Sequence, residues 1–214
     1  MVLNHMARRT LRNLDERILK WTIHYGAIDG ISNVSTKRIA KDLRITEPTI
    51  YVHFKTKGNL LYEAYKRVVE TVYDFKDFSK EDPKQFTNDL EHELLRLLEK
   101  AALKKEEVVF AFNYRNSPNY KTYNTPGSEL YLQHFSEVLV SAIHDPEMTE
   151  AIKKTLIPVA LEIFNLFTFK VAKGEMDATL LRAKILVALV MGGLMNAHEV
   201  FYSHLSPEEL AALK

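Results

Sequence analysis

The sequence predicts an all-α protein in two parts, a small N-terminal three-helix module and a larger helical body. Three observations carry this. Apolar residues recur at helical spacing through almost every long segment. No stretch alternates apolar and polar as a half-buried strand does. Charge is split along the chain: residues 1–66 hold 12 Lys/Arg against 6 Asp/Glu, and the remainder holds 17 against 22. The net charge of +1 conceals a basic front and an acidic body, which points to a polyanion-binding module on a differently tasked domain.

The elements follow in order. Leu14, Ile18, Trp21, Tyr25 and Ile28 lie on one helical face. Gly30 stands where a residue at ease with positive φ ends a helix. Ser35 and Thr36 are both suited to cap the next helix, whose apolar residues are Ile39, Ala40 and Leu43. Thr46 caps a short third helix, with Pro48 tolerated in its first turn. Thr56 caps a longer helix running to about Phe75, with Leu60, Leu61, Ala64, Tyr65, Val68, Val69 and Val72 facing inward.

Beyond the break at Ser79–Pro83, the stripe Phe86, Leu90, Leu94, Leu97, Leu98 and Ala101 marks another helix. A shorter one follows over Glu106–Tyr114. Arg115–Ser128 reads as one long polar loop, with two Pro and a Gly. Helices then follow over Glu129–His144, Thr149–Gly174 with a kink expected at Pro158, Asp177–Leu205, and Pro207–Lys214.

Two short helices joined by a tight turn describe a helix-turn-helix: Thr36–Leu43, the turn Arg44–Thr46, then Glu47–Phe54. Ile39, Ala40, Leu43, Ile45, Ile50 and Phe54 supply the inward set. At ~100° per residue, Pro48, Thr49, Tyr51 and Val52 fall on the outer arc. Such a second helix lies in the DNA major groove, where bases are read both by hydrogen bonds and by apolar contact with the thymine methyl. Glu47 suits a cytosine amine, Thr49 either kind of edge, and Pro48 and Val52 suit methyls. Tyr51, His53 and Lys57 suit phosphates.

The stretch "VSTKRIAKDLRITEPTIYVHFKTKGNLL" resembles the DNA-binding segment of the TetR family of bacterial repressors. The matching elements are Ser35, Ile39–Ala40, Thr49–Ile50–Tyr51, His53–Phe54, Lys55, Lys57 and Leu60–Leu61. The motif likeness covers about Leu14–Tyr65. It implies that Thr36 and Lys37 meet the DNA backbone, that Glu47, Pro48, Thr49 and Val52 face bases, and that Tyr51, His53 and Lys57 grip phosphates. It also implies two domains, a DNA-binding one over 1–65 and an effector-binding, dimerising one over 66–214. The partners implied are a palindromic double-stranded DNA operator, a small-molecule effector and a second copy of the chain. One departure stands out: the family commonly places Gly in the turn where this chain has Arg44, which leaves the turn geometry open.

Composition narrows the function further. There is no Cys, so no disulfide, thiol nucleophile or cysteine metal site is available. No apolar run reaches membrane-spanning length, so the cytoplasm is the expected compartment and no membrane partner is expected. No Gly-rich phosphate loop, Gly-x-Ser-x-Gly elbow or His-Glu-x-x-His motif occurs. His198 and His204 are six apart, which is not the spacing of a helical zinc pair. Neither enzyme activity, metal nor cofactor is therefore expected. For the effector site, Phe110, Phe112, Asn113, Tyr114, Tyr131, His134 and Phe135 are the candidates; the same aromatics also suit plain core. "LEIFNLFTF" and "ILVALVMGGLMNAHEVFY" are more apolar than one exposed stripe allows, as expected of a dimer interface or a core. The alternative function is a helical small-molecule-binding or interaction protein that keeps the fold without binding DNA.

Overall fold

A computed structural model of the chain describes residues 2–74, 83–123, 157–190 and 192, and the regular structure among them is helical. The helices are α1 (Val2–Ile28), α2 (Thr36–Leu43), α3 (Glu47–Phe54), α4 (Lys57–Val72), α5 (Pro83–Leu103), α6 (Lys105–Arg115), α7 (Pro118–Tyr123) and α8 (Ile157–Ala172). A 3-10 turn at Ile31–Asn33 joins α1 to α2, and residues 180–190 are also helical. The chain divides into two compact units. One comprises Met1–Asp74 with Lys104–Ser128, the other Phe75–Leu103 with Glu129–Lys214.

In the first unit, α2 and α3 pack together, α1 packs on α2, α4 and α6, and α4 packs on α6 and α7. The inward set of α4 is the one its spacing predicts: Leu60, Leu61, Ala64, Tyr65, Val68, Val69 and Val72 are buried. Each large apolar side chain so placed contributes roughly 1.5–3 kcal/mol, against the few tenths that separate most residues in helix propensity, so packing decides this helix. Tyr65 stacks on Tyr114 at 4.8 Å between centroids, and Tyr120 meets both rings edge-on at 5.8 and 6.1 Å.

Several expectations are corrected here. Helix α1, which carries the Leu14–Ile28 face, runs from Val2. Its final residue of the expected face, Ile28, is 62% exposed, because the chain turns away at Gly30 (φ 84°) and leaves nothing to cover it. The buried face takes in Thr22 instead, whose hydroxyl donates to the Ile18 carbonyl at 2.9 Å and so enters the core satisfied. The polar loop expected over Arg115–Ser128 contains α7: Pro118 opens it without needing an N–H partner, and Tyr120 anchors it against α4 and α6. Helix α4 ends at Val72, short of Phe75. The kink expected at Pro158 falls at the edge of the described residues, and the expected helices at 129–144 and 207–214 lie outside them.

In the second unit, α5 packs on α8. Leu90, Leu94, Leu97, Leu98 and Ala101 are buried as their spacing predicts, as are Ala160, Leu161 and Phe164 of α8. Glu93 is buried too, its carboxylate gripped by the Arg96 guanidinium through Nε at 2.8 Å and a terminal nitrogen at 2.5 Å. Ala183, Leu186, Val187 and Val190 line the buried side of residues 180–190, while Leu181, Ile185 and Leu189 stand exposed on the other.

Candidate nucleic-acid interface

The pair α2–α3 is built by capping and by a few buried side chains. Ser35, not Thr36, caps α2: its hydroxyl accepts from the Arg38 N–H at 3.3 Å. Ile39, Ala40 and Leu43 are buried beneath it, with Ile50 and Phe54 of α3; Ile45 is only half-buried. Helix α2 ends in a reciprocal pair of backbone bonds, Ile45 N–H to Ala40 O at 3.0 Å and Arg44 N–H to Lys41 O at 3.1 Å. That closure places the intervening residue in the left-handed region, and Arg44 is there, at φ 57°, ψ 43°. The turn therefore keeps the geometry that Gly favours and carries a cation at a cost of roughly 1–2 kcal/mol.

A second positive φ follows α3. Lys55 sits at φ 63°, ψ −54°, and the Thr56 N–H donates to Phe54 O at 2.7 Å, which makes a γ-turn of the rarer, strained hand. Two side chains brace it. Lys55 Nζ donates to Val52 O at 3.1 Å, and Asn59 Nδ2 donates to Phe54 O at 3.0 Å. Thr56 then caps α4, accepting from the Asn59 N–H at 3.0 Å. This turn joins α3 to the long helix α4. Thr46 occupies the cap position of α3, but its hydroxyl pairs with the Thr49 hydroxyl at 2.9 Å and makes no capping bond.

The face turned outward is mixed. Pro48 is exposed, Tyr51 is 37% and Val52 68% exposed, and Glu47 and Thr49 are half-buried. Lys37 is exposed on α2. Thr36 is 6% exposed: its hydroxyl donates to Glu47 Oε1 at 2.5 Å and lies 3.2 Å from the Tyr51 hydroxyl. His53 turns inward from the end of α3, its side chain 13% exposed and its Nδ1 2.5 Å from Asp15 Oδ1 of α1. Lys57 Nζ donates to Ser32 O at 3.1 Å, which uses one of its three protons. Thr36, Glu47 and Tyr51 are thus joined to one another, His53 lies against Asp15 of α1, and Lys57 is tied to Ser32.

Sequence reasoning passed over Lys41. With Lys37 and Arg44 it follows an i, i+4, i+7 spacing that puts three exposed cations on one face of α2 and its turn. The spacing was the available signal. Asp42 of the same helix is used inward, accepting from the Tyr25 hydroxyl, while the Arg38 guanidinium lies 3.8 Å over the Tyr25 ring and bonds Asp29 at 2.7 Å. These contacts bolt α2 to α1. Burial, and then the bond to Asp42, hold the Tyr25 hydroxyl above its ordinary pKa of 10.0, against the lowering influence of Arg38.

Of the effector-site candidates, Phe110 and Tyr114 are fully buried in the first unit, their rings stacked at 6.1 Å. Phe112 and Asn113 are half-buried, and Asn113 Nδ2 donates to the Gly26 carbonyl of α1 at 3.1 Å. Tyr131, His134 and Phe135 lie outside the described residues. Among the described residues, no helix is long and apolar enough to cross a membrane.

Comparison with known proteins agrees with this geometry. Residues 27–64 match the family model described as bacterial regulatory proteins, tetR family. The fold is similar to a crystal structure of a TetR-like transcriptional regulator from Rhodococcus sp. RHA1, with a TM-score of 0.61 over 84% of this chain and 94% of that one, at 14% identity. No curated protein matches the sequence. The matched segment runs from the end of α1 through the whole of α2 and α3 into α4, so it contains every candidate residue from Thr36 to Lys57. Residues 27–64 thus resemble the tetR family of bacterial regulatory proteins, and beyond them the likeness is one of fold.

Proposed function

We propose that this transcriptional regulator is a dimeric repressor that binds palindromic double-stranded DNA and is released by a small-molecule effector in the cytoplasm. The observation that carries the DNA-reading part is the exposed set Pro48, Tyr51 and Val52 on a helix pinned from behind by Ile50 (0% exposed) and Phe54 (6% exposed). A helix so held presents its side chains at fixed positions, which base reading in the major groove requires. Lys37, Lys41 and Arg44 flank it with positive charge for the phosphates.

Dimerisation is supported by unpartnered apolar side chains in the second unit. Leu181, Ile185 and Leu189 repeat every four residues and are 67%, 36% and 51% exposed; Val159 and Leu166 of α8 are 53% and 44% exposed. A second copy covering these residues places two recognition helices on two half-sites, about one helical turn (~34 Å) apart. The effector acts through α6. Asn113 and Phe110 of that helix grip α1 at Gly26, so a ligand that draws on α6 changes how the DNA-reading unit is held. Because coupling is reciprocal, operator DNA weakens effector binding by the same factor.

The test is selection of fragments of the host genome by the full-length protein, followed by binding to the selected site over a range of salt. The expected result is a palindromic site with affinity falling steeply as salt rises. A protein that enriches no sequence is not a specific regulator. Ligand-induced stabilisation without DNA affinity would favour the alternative, a helical small-molecule-binding protein that keeps the fold.

A further inference from the structure

We propose that Glu47 selects cytosine in the operator and that Thr36, buried beneath it, is the positioning residue that aims its carboxylate. This rests on the DNA-reading function above and names what the site reads at one position.

The geometry orders the protons. Thr36 Oγ1 carries a single proton, and it is given to Glu47 Oε1 at 2.5 Å. The Tyr51 hydroxyl, 3.2 Å from the same oxygen, must then be the donor in that second contact. The chain runs Tyr51 O–H to Thr36 O–H to Glu47. Thr36 is 6% exposed and sits in the first turn of α2, so its hydroxyl is held by the fold and not by solvent. One carboxylate oxygen is thus held in place. Oε2 has lone pairs left to accept with, on a residue that is half-buried next to exposed Pro48 in α3.

Among the described residues, no Lys, Arg or His forms an ion pair with Glu47. Its charge is left to be answered by whatever the helix docks against. Guanine shows two acceptors in the major groove, and thymine an acceptor and a methyl, so a carboxylate meets no donor on either. Adenine offers its N6 amine, but beside the N7 acceptor, which repels the second carboxylate oxygen. Cytosine offers its N4 amine with no acceptor next to it. An acceptor-only group on a fixed arm therefore favours cytosine, adenine comes second, and guanine is worst. In a two-fold assembly the cytosine recurs in each half-site.

The test is selection from random duplex DNA by full-length wild type, Glu47→Gln, Thr36→Val and Thr36→Ser, each first checked for unchanged helicity and thermal melting. Wild type is expected to enrich cytosine at one position per half-site, by roughly tenfold or more over other bases. Glu47→Gln should keep the rest of the site and replace that cytosine by adenine, because an amide donates to N7 while accepting from N6. Thr36→Val should flatten the preference at that position alone, and Thr36→Ser, which keeps the hydroxyl, should restore it. A Glu47→Gln protein with wild-type preferences at every position overturns the assignment of Glu47. A Thr36→Val protein that keeps the full cytosine preference overturns the role of Thr36, and a Thr36→Val protein weakened equally at all positions makes that residue merely structural. Wild type selecting no site at all sinks the regulator reading itself, a result distinct from either.

Discussion

The ring of Phe110 lies directly over Gly26, so close that a β-carbon at residue 26 would stand 2.7 Å from its Cε2. Phe110 is fully buried and has no room to withdraw. Gly26→Ala is therefore expected to destabilise the protein although alanine is the better helix former. Overpacking costs about 1–3 kcal/mol, and helix propensity returns at most about 1 kcal/mol. Thermal melting should show a drop of several degrees; an unchanged or raised midpoint would mean that α6 does not hold α1 in this way.

Asp15 of α1 faces α3, its Oδ1 2.5 Å from His53 Nδ1. Asp15→Asn removes a negative charge from the unit that carries the proposed DNA-binding residues. The expected result is tighter binding to all sequences, by roughly two- to tenfold, with the slope of log K against log salt steeper by up to about 0.9. Anisotropy titrations at several salt concentrations read both. The cost in stability should stay within about 1 kcal/mol, as for other partly exposed polar contacts.

Arg44 combines a backbone cost with an exposed cation, and one substitution separates the two. Arg44→Gly is expected to raise stability by about 1 kcal/mol, since Gly adopts φ 57° without the Cβ clash. It should also weaken DNA binding without changing sequence preference, and lower the salt slope by about 1. A loss of both stability and affinity would show that the side chain, and not the turn, is what matters there.

Tyr25 makes a pH-dependent contribution whose sign follows from its raised pKa. The folded state holds the phenolic proton more tightly than the unfolded chain. Its stabilisation is therefore complete below the ordinary value of 10.0 and is lost as pH rises through the higher folded value. Tyr25→Phe should cost about 1 kcal/mol at neutral pH, for the lost bond to the exposed Asp42, and that deficit should shrink above about pH 10. Urea unfolding of both proteins at pH 7, 10 and 11 measures the difference, which other titrating groups share and so cancel.

Leu189, 51% exposed at the end of the Leu181–Ile185–Leu189 stripe, is the place to test assembly. Leu189→Glu should convert a dimer into monomers in sedimentation experiments and leave the melting of the first unit unchanged. Losing the link between two half-sites should lower operator affinity by on the order of 10²-fold or more. A variant that sediments like wild type would move the interface elsewhere.

The sequence by itself determined the helices and what they bury wherever burial follows a simple period. The seven inward residues of α4 and the stripe of α5 from Leu90 to Ala101 are where their spacing puts them, because a helix with one apolar face has one low-energy way to meet a core. The order of residues from Ser35 to Leu61 likewise determined the helix-turn-helix, since its caps, turn and anchors are all local. Periodicity did not reveal Thr22, which is buried because its hydroxyl finds a carbonyl one turn back, or Ile28, left exposed where the chain turns away. Nor could composition show that Pro118–Tyr123 is helical, since Tyr120 is held there by rings from α4 and α6. Only the tertiary structure decided how the candidate site residues are placed: Thr36 bonded to Glu47, His53 turned back to Asp15, Lys55 at positive φ. Each depends on a partner on another element or on the closure of a turn, and such pairings are energies of assembled neighbours that no linear spacing encodes.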